Sequence, residues 1–355
     1  MIYEYWLANT GRFTPVQINK LLKVAGSPQE VYRMRKEQIQ KICLWSEDVY
    51  EEYQREKKSW NLLGRWEEFK KLKMGFLTIL QKEYPAVLKE IYDPPYALYY
   101  YGNLELLKRQ KIAIVGARRC SDYGAKTARV LAHGLAHRGN CIVSGMAEGI
   151  DAYAHAGALE GVGKTIAVLG CGVNVCYPAK NRALYKAMKE QGLIISEYGP
   201  GVQPVAWHFP MRNRIISGLS EKVIVVEAKE KSGSLITADA ALDQGKDVYA
   251  VPGRLLDPLS KGCNELIRQG AGIISDADAF LSQYNACVLE LGEAINSSLS
   301  QDEMKVYQSL DYYPKRIENI IEEAAMDYRQ VLVAVSSLIA KGCARESFKN
   351  QYIRV

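Results

Sequence analysis

The middle of the chain alternates short apolar runs with helix-period patterns. The apolar runs are rich in Ile and Val, and they predict strands over Lys111–Val115, Cys141–Ser144, Thr165–Leu169, Leu193–Ser196, Val223–Glu227, Val248–Val251 and Gly272–Ser275. Helical patterns lie between them, over Gly124–His137, Ile150–Leu159, Arg182–Gln191 and Leu235–Gln244. Short apolar strands that alternate with helices indicate a parallel sheet covered on both faces. We therefore predict an α/β fold with a Rossmann-like domain over residues 74–284, whose ligands bind beyond the carboxyl ends of the strands.

The two ends of the chain have different patterns. Residues 1–73 carry helix-period apolar positions followed by a dense run of both charge signs, which predicts a small helical (SAM-like) domain. Residues 298–355 predict three helices, a turn that contains Gly342 and a terminal strand, the order found in winged-helix domains. Residues 285–297 are expected to form the linker.

Composition predicts a folded protein of two or three domains. The chain has 355 residues, of which 48% are hydrophobic and 24% charged, and it contains no apolar run of the roughly 18 residues that a membrane helix needs. Its first residues do not resemble a signal peptide, so we expect a cytoplasmic protein with no membrane partner. A net charge of +6 permits a local nucleic-acid-binding patch without requiring one.

Metal-binding patterns are weak. Eight cysteines form no C-x-x-C pair, and only four histidines are present, so no metal site is predicted and the cysteines are interpreted as free thiols, several of them buried. Asp151 and His155 lie four residues apart on a predicted helix with no third ligand nearby. We interpret them as a local hydrogen-bonded pair rather than as a metal or catalytic pair.

Two nucleotide-binding motifs are incomplete. Gly163-Lys164-Thr165 resembles the end of a Walker A loop, but Ala158 stands where the motif needs glycine, and a strand follows instead of a helix. Gly170-Cys171-Gly172 begins like a dinucleotide fingerprint, but Val175 stands in place of the third glycine. We therefore predict no cofactor and no ATPase activity.

Five other clusters suit an anion. In the first, Gly116 follows a strand and lets backbone N–H groups approach a phosphate, which Arg118 would hold; the adjacent Arg119 is expected to point elsewhere. The alternative is a surface arginine on a turn. The candidate binding residues in the other four clusters are Ser144, Gly145, Gly149, Gly170, Gly172, Lys180, Asn181, Phe209, Arg212, Asn213, Arg214, Ser232, Gly233 and Ser234.

Each of these clusters has a competing interpretation. An aromatic ring beside arginines suits single strands, where rings stack on bases, but Phe209 also suits simple core packing. The hydroxyls of Ser232 and Ser234 suit either a phosphate or a helix cap. None of the clusters supplies a nucleophile with an adjacent base, so we predict no catalytic residue and no enzyme.

The order of these motifs resembles the DNA-processing protein A (DprA/Smf) family over about two hundred residues. The matching segments include Val115-Gly116-Ala117-Arg118, Ser144-Gly145-x-Ala147-x-Gly149-Ile150-Asp151, Tyr177-Pro178-x-x-Asn181, Phe209-Pro210-x-Arg212-Asn213-Arg214, Ser232-Gly233-Ser234-Leu235-Ile236-Thr237 and Gly262-x-Asn264-x-Leu266-Ile267.

The resemblance implies a non-catalytic protein that binds single-stranded DNA, protects incoming strands during natural transformation and helps to load the RecA recombinase. It also implies a homodimer formed through the Rossmann-like domain, and a phosphate contact by Arg118. Some members have a DNA-contacting lysine directly after Tyr-Pro, where this chain has Ala179, with Lys180 one position on. Glu148 stands where relatives often have a cation.

Two other functions remain open at this stage. The first is a nucleotide N-glycoside hydrolase of the lysine-decarboxylase-like group, although its Pro-Gly-Gly-x-Gly-Thr signature is replaced here by the segment Ser232–Thr237. The second is a regulator whose winged helix reads duplex DNA. Residues 298–355 hold eight basic and eight acidic residues. Because phosphate neutralisation dominates DNA affinity, a neutral domain favours a protein-contact role.

Overall fold

A computed structural model of the chain describes residues 1–284, 299–310, 315–341, 343–348 and 350–354. The chain forms two compact units, residues 1–284 and 285–355. The expected linker over residues 285–297 lies outside the described residues. None of the described helices is long and apolar enough to cross a membrane.

The first unit is built on a nine-stranded sheet. Its strands are β1 (Gly75–Thr78), β2 (Ala97–Gly102), β3 (Lys111–Val115), β4 (Cys141–Ser144), β5 (Thr165–Val168), β6 (Leu193–Ser196), β7 (Lys222–Val225), β8 (Asp247–Ala250) and β9 (Gly272–Ile273). They lie in the order β1-β2-β6-β5-β4-β3-β7-β8-β9, in which β1 and β2 are antiparallel to their neighbours and the other seven strands are parallel. The predicted α/β class with a mostly parallel sheet is confirmed.

Fourteen α-helices are described in this unit: α1 (Ile2–Asn9), α2 (Pro15–Ala25), α3 (Pro28–Arg33), α4 (Lys36–Cys43), α5 (Glu47–Ser59), α6 (Leu62–Lys71), α7 (Ala86–Lys89), α8 (Asp122–His137), α9 (Ile150–Leu159), α10 (Arg182–Gln191), α11 (His208–Leu219), α12 (Gly233–Asp243), α13 (Lys261–Arg268) and α14 (Ala277–Ser282). Short 3-10 helices cover Leu104–Lys108 and Ala179–Asn181. Sequence analysis predicted a helical N-terminal region, which is confirmed, but it missed α11.

The two faces of the sheet follow from side-chain alternation along the strands. In β3, Ile112 and Ile114 belong to the core that includes helices α8 and α9. Ala113 and Val115 belong to the core on the other face, which includes α11 and α12. Because both faces are covered, every residue of β3 is buried, and residues 112–115 form one apolar run.

The N-terminal helices pack on the antiparallel end of the sheet. Tyr5 of α1 lies 4.8 Å from Phe69 of α6, between ring centroids, and 5.7 Å from Phe76 of β1. Tyr99 of β2, which is fully buried, lies 5.2 Å from Phe76. Aromatic rings at these separations interact edge-on or tilted and bury large apolar areas. The helices and the sheet therefore share a core and form one compact unit.

The second unit contains helices Gln301–Ser309, Ile317–Ala324 and Tyr328–Ala340, with short strands at Lys315–Arg316, Ala344–Phe348 and Gln351–Arg354. The first of these strands pairs with the last, which also pairs with the middle one, all antiparallel. The helices pack around a core that includes Val306, Ile320 and Leu338. The winged-helix assignment stays a prediction.

The order of the strands creates a crevice beside β3. From β3 the chain passes outward through β4, β5 and β6, and it then returns to place β7 on the other side of β3. The loops that follow β3 and β7 consequently leave the sheet in opposite directions. Open α/β sheets bind ligands in the crevice at such a switch point.

Candidate nucleic-acid interface

A cleft of about 420 Å³ occupies this crevice, and we call it the central cleft. Most of its lining comes from the loops after β3 and β7 and from helices α11 and α12, with Asp151 from α9. The residues with polar or aromatic side chains in the lining are Arg118, Arg119, Asp151, Phe209, Arg212, Asn213, Lys229, Lys231, Ser232, Ser234 and Thr237. Five of these side chains are cationic and one is acidic, so the cleft is strongly positive.

A second cleft of about 310 Å³, the side cleft, adjoins the first. Arg118, Arg119, Phe209 and Arg212 line both clefts. The side cleft adds residues from the loops after β4 and β5, with Tyr177, Lys180 and Glu148 among them. Because the two clefts share this lining, they form one continuous surface about Arg118 and Phe209.

Arg118 has the most favourable position for an anion contact. Its side chain is exposed on the loop after β3, and its guanidinium carbon lies 5.4 Å from the centroid of the Phe209 ring. A cation over an aromatic face is held in place while its N–H groups stay available. Arg119 is exposed and lines the same two clefts, so the expectation that it points elsewhere is wrong.

Gly116 and Gly149 fix the shape of this loop. A Cβ at Gly116 would lie 2.7 Å from Ile150 Cγ1 and 2.9 Å from the Glu227 carbonyl oxygen. Gly149 has a φ of +78°, and a Cβ there would lie 2.3 Å from the carbonyl oxygen of Ala117. That carbonyl accepts a hydrogen bond from the Ile150 N–H at 3.2 Å. The two glycines are required by close backbone approach, which brings the loop after β4 against the loop that carries Arg118.

The cluster Phe209–Arg214 lies on helix α11, which sequence analysis did not predict. Helical periodicity places residues 209, 212 and 213 on one face, because positions three and four apart are neighbours. These three residues line the central cleft. The ring of Phe209 is half-buried and lies 5.5 Å from the Tyr177 ring, so it serves both the cleft and local packing.

Arg214 is a correction to the predicted site. Its side chain is buried, with Nε donating to Asp93 at 2.7 Å and Nη2 donating to Glu197 at 2.6 Å. It does not line either of the two clefts. The helix turns this position away from Phe209, and two half-buried carboxylates neutralise the guanidinium. Arg214 therefore joins helix α11 to the segments that carry Asp93 and Glu197 and does not face the two clefts.

Arg212 and Asp151 form a buried charged support beneath the loop after β4. Arg212 donates through Nη1 to the carbonyl oxygens of Gly145, at 2.9 Å, and of Val168. Asp151 accepts from the backbone N–H groups of Gly145, at 3.1 Å, and of Ala147, at 3.3 Å. Burial lowers the pKa of Arg212 to about 10, so the guanidinium stays charged at neutral pH. These contacts hold the loop and leave Arg212 little freedom to bind a ligand.

The predicted Asp151–His155 pair is also wrong. His155 is fully buried, and its Nδ1 lies 2.7 Å from Thr165 Oγ1 on β5 instead of meeting Asp151. Burial lowers the pKa of His155 to about 3, so it is neutral. The two side chains have separate partners because His155 points to strand β5, whereas Asp151 points to the loop after β4.

Several other predicted residues hold the loops in place. Ser144 is buried and donates through Oγ to the Ile114 carbonyl at 2.6 Å, so it does not reach a ligand. Asn181 donates to the carbonyl oxygens of Met146 and Ala147 at 2.9 and 3.2 Å. Gly172 packs against the Gly199 carbonyl, and a Cβ there would lie 2.6 Å from that oxygen. These positions shape the clefts from behind.

The remaining predicted residues lie at the clefts. Gly145 and Gly170 line the side cleft, and Gly233 lines the central cleft. Ser232 caps helix α12 through its Oγ, which accepts from the Ser234 N–H at 3.4 Å, as the helix-cap interpretation expected. Both serines also line the central cleft, so the cap and the cleft use the same loop.

Lys229 and Lys231 were missed by sequence analysis. Both are exposed on the loop after β7 and line the central cleft beside the serine cap of α12. The available signal was their position, directly between a predicted strand and the Ser232–Thr237 motif. The intervening Glu230 made the segment look like an ordinary mixed-charge turn.

Lys180 and Glu148 pair at the outer part of the side cleft. Lys180 Nζ lies 3.3 Å from Glu148 Oε2, and both side chains are well exposed. The carboxylate therefore competes with any anionic ligand for this lysine. Exposed pairs of this kind are worth about 1 kcal/mol or less, so a polyanion could displace the carboxylate.

The family model for DNA recombination-mediator protein A matches residues 75–285. The DNA processing protein DprA of Streptococcus pneumoniae is 50% identical over 212 residues, which cover 60% of this chain and 75% of that protein. Protein Smf of Escherichia coli is 41% identical over 242 residues, or 68% of this chain and 64% of that protein.

Two solved structures resemble the fold. The X-ray structure of DprA from Streptococcus pneumoniae has a TM-score of 0.72 and 41% identity, and the match covers 80% of this chain and 98% of that chain. A structure that describes the single-stranded DNA binding mode of DNA processing protein A from Helicobacter pylori has a TM-score of 0.56 and 35% identity, with 59% and 95% coverage.

Proposed function

Since this chain belongs to the DNA recombination-mediator protein A family, we propose that its two clefts bind single-stranded DNA through the phosphates, as a non-catalytic step in DNA processing during natural transformation. The observation that carries this proposal is the position of Arg118. It lies exposed over the Phe209 ring at the switch point of the sheet, between two clefts that together contain six cationic side chains.

Phosphates and bases would contact different parts of this surface. Arg118, Lys229 and Lys231 present charged N–H donors to phosphate oxygens in the central cleft. The half-buried ring of Phe209, with Tyr177 beside it, offers an aromatic surface for a base. Phosphate contacts and stacking carry little sequence information, so binding should be tolerant of sequence.

The lining of the clefts favours binding over catalysis. The Asp151 carboxylate is occupied by two backbone N–H groups, and Glu148 is paired with Lys180. Cys171 lines the side cleft, but burial raises the pKa of its thiol to about 11, so it is a poor nucleophile at neutral pH. These facts disfavour the N-glycoside hydrolase, whose test would be release of free base from a nucleotide monophosphate.

We further propose RecA recombinase and a second copy of this chain as partners, on the strength of the family membership. Loading would be seen as faster RecA filament assembly on single-stranded DNA when this protein is present. Self-association would be seen as a concentration-dependent mass in sedimentation or light scattering. A monomer at all concentrations, or no effect on RecA assembly, would remove the respective partner.

The central experiment is a binding titration with labelled oligonucleotides, single against double stranded, over a salt series. Single strands should bind more tightly, with little preference among sequences. The logarithm of affinity should fall with the logarithm of salt concentration at a slope of about −0.7 per phosphate neutralised. An affinity independent of salt, or tighter binding to duplex, would contradict the proposal.

A further inference from the structure

Glu227 lies two residues after the end of β7, and its carboxylate is buried at the N-terminus of helix α8. The Ser121 N–H donates to Glu227 Oε2 at 2.9 Å, and Ser121 Oγ donates to Oε1 at 2.5 Å. Ser121 is the cap residue of α8, and its Oγ also accepts from the Gly124 N–H at 3.1 Å. The carboxylate thus accepts hydrogen bonds from donors at the helix N-terminus, a position that is otherwise favourable for a bound anion.

The backbone of Glu227 holds the other end of the same loop. Its carbonyl oxygen accepts a hydrogen bond from the Ala117 N–H at 2.7 Å. One residue therefore contacts the chain on both sides of Arg118 and Arg119, at Ala117 and at Ser121. Such a clamp restricts the conformations that the intervening loop can adopt.

Gly124 provides the room for the carboxylate. A Cβ built at this position would lie 2.4 Å from Glu227 Cδ and 2.4 Å from Oε2, too close for any side chain. Glycine in a helix is unfavourable by roughly 0.5–1 kcal/mol relative to alanine. Glycine nevertheless stands at the turn of α8 where the carboxylate lies, because any larger residue would collide with Glu227.

We propose that Glu227 is a positioning residue that acts as a built-in anion: its carboxylate occupies the N-terminus of α8 and holds the Arg118 loop in the shape that binds DNA. This inference rests on the proposed function, because the loop's role is to present Arg118 to phosphate. In dinucleotide-binding sheets the ligand's phosphate takes the first helix N-terminus. Here an internal carboxylate fills that position, so a bound strand is directed to the exposed arginines instead.

The first test replaces the carboxylate and returns it from solution. Glu227→Ala should weaken single-stranded DNA binding on the order of tenfold, since hydrogen bonds to a buried charged group are lost. Acetate should restore much of the affinity, compared with chloride at equal ionic strength. Glu227→Gln should bind better than Glu227→Ala, because its amide can both accept from and donate to Ser121. No loss in Glu227→Ala, or a loss that acetate leaves unchanged, would overturn the inference.

A second variant approaches the same contact from the helix. Gly124→Ala should displace the carboxylate and weaken DNA binding, although alanine is the better helix former. In the Glu227→Ala background the clash is gone, so adding Gly124→Ala should cause no further loss. Full additivity of the two changes would show that they act through separate contacts.

A third comparison identifies the route of the effect. In the Arg118→Ala/Arg119→Ala background, Glu227→Ala should cost little more affinity, because both cationic side chains that the loop presents have been removed. Arg55, an exposed arginine of helix α5, is the control. In the Arg55→Ala background, Glu227→Ala should reduce the DNA affinity by the same factor as in the parent. An equal loss in both backgrounds would assign Glu227 a general structural role.

Hydrogen exchange separates this inference from the proposed function. Without DNA, the amides of residues 116–121 should exchange faster in Glu227→Ala than in the parent, and acetate should slow them again. If the parent protein binds no single-stranded DNA while this pattern is seen, the proposed function fails and the clamp stands. If the parent binds DNA while exchange in the loop is unchanged by the substitution, the clamp fails alone.

Discussion

Arg118→Ala is the most informative single change to the proposed DNA site. The side chain is exposed on the loop between β3 and α8, and it lines both clefts. Its removal leaves the core intact, since the position contributes no buried apolar surface. The substitution therefore isolates the contribution of one guanidinium to binding.

The expected magnitude follows from two contacts. A charge-assisted hydrogen bond to phosphate is worth about 1.5–3 kcal/mol. The Phe209 ring, 5.4 Å from the guanidinium carbon, adds pre-organisation of about 0.5–1 kcal/mol at an exposed site. The two contributions together come to about 2–4 kcal/mol, and because 1.4 kcal/mol is a tenfold change, affinity should fall by about 30- to 700-fold. The salt slope should shrink by about 0.7, the share of one phosphate.

The assay is fluorescence anisotropy with labelled oligonucleotides of two unrelated sequences over a salt series. Arg55→Ala is the matched control, because it removes the same charge from an exposed helix position that does not line either cleft. Arg119→Ala is a second test variant and not a control, since Arg119 also lines both clefts. The Arg118 variant should lose affinity equally for both sequences and keep the parent's melting temperature.

Two results would refute this reasoning. If Arg118→Ala binds within about twofold of the parent, the guanidinium holds no phosphate and the cation–ring contact is structural. If Arg55→Ala loses as much affinity as Arg118→Ala, only net charge matters and the clefts are not the site.

Further predictions follow from particular contacts. Glu148→Gln should strengthen single-stranded DNA binding about two- to fivefold by freeing Lys180, and unchanged or weaker binding in anisotropy would contradict this. A chain that ends at Tyr284 should keep most of its DNA affinity, because both clefts lie within residues 1–284; a folded truncation that lost nearly all binding would place the site in the tail. Arg214→Ala should destabilise the fold by about 3 kcal/mol in denaturant unfolding, since it leaves two half-buried carboxylates without their partner; a stable variant with lost DNA binding would return Arg214 to the site. Ion pairing with Lys341 and hydrogen bonds from Ser337 and the Ser300 N–H lower the pKa of Glu303 from 4.5 to about 2. The stability that Glu303 gives the second unit is therefore present above pH 4.5 and is lost as the pH falls towards 2. Hydrogen exchange should show this loss of stability, and Glu303→Gln should make the stability of the second unit less dependent on pH over this range.

Local patterns in the sequence were enough to predict most of the sheet. The seven predicted strands are all present, and helices over Ile150–Leu159 and Arg182–Gln191 have the predicted bounds. These elements are defined by periodicity and by buried β-branched residues, which are properties of neighbours along the chain. Strands β1 and β2 were missed because their aromatic residues pack against the N-terminal helices, a contact between distant segments.

The sequence also determined which chemistry was available. Glycines beside Arg118, and the Phe209–Arg214 cluster, indicated phosphate binding without a nucleophile, and the family resemblance built on these motifs is confirmed by the match over residues 75–285. The residue types could be identified from sequence because close backbone approach needs glycine and phosphate recognition needs a cation, wherever the chain places them.

Only the tertiary structure decided which cations face the clefts. Arg212 and Arg214 stand two positions apart in one motif, yet a helix turns them about 200° from one another, and Asp93 and Glu197 from distant segments bury the second. Likewise Glu227 reads as the end of a strand, and it meets Ser121 only because β7 returns beside β3. The direction of a side chain and its partners depend on which distant segments the sheet brings together, and no pattern of neighbouring residues contains that information.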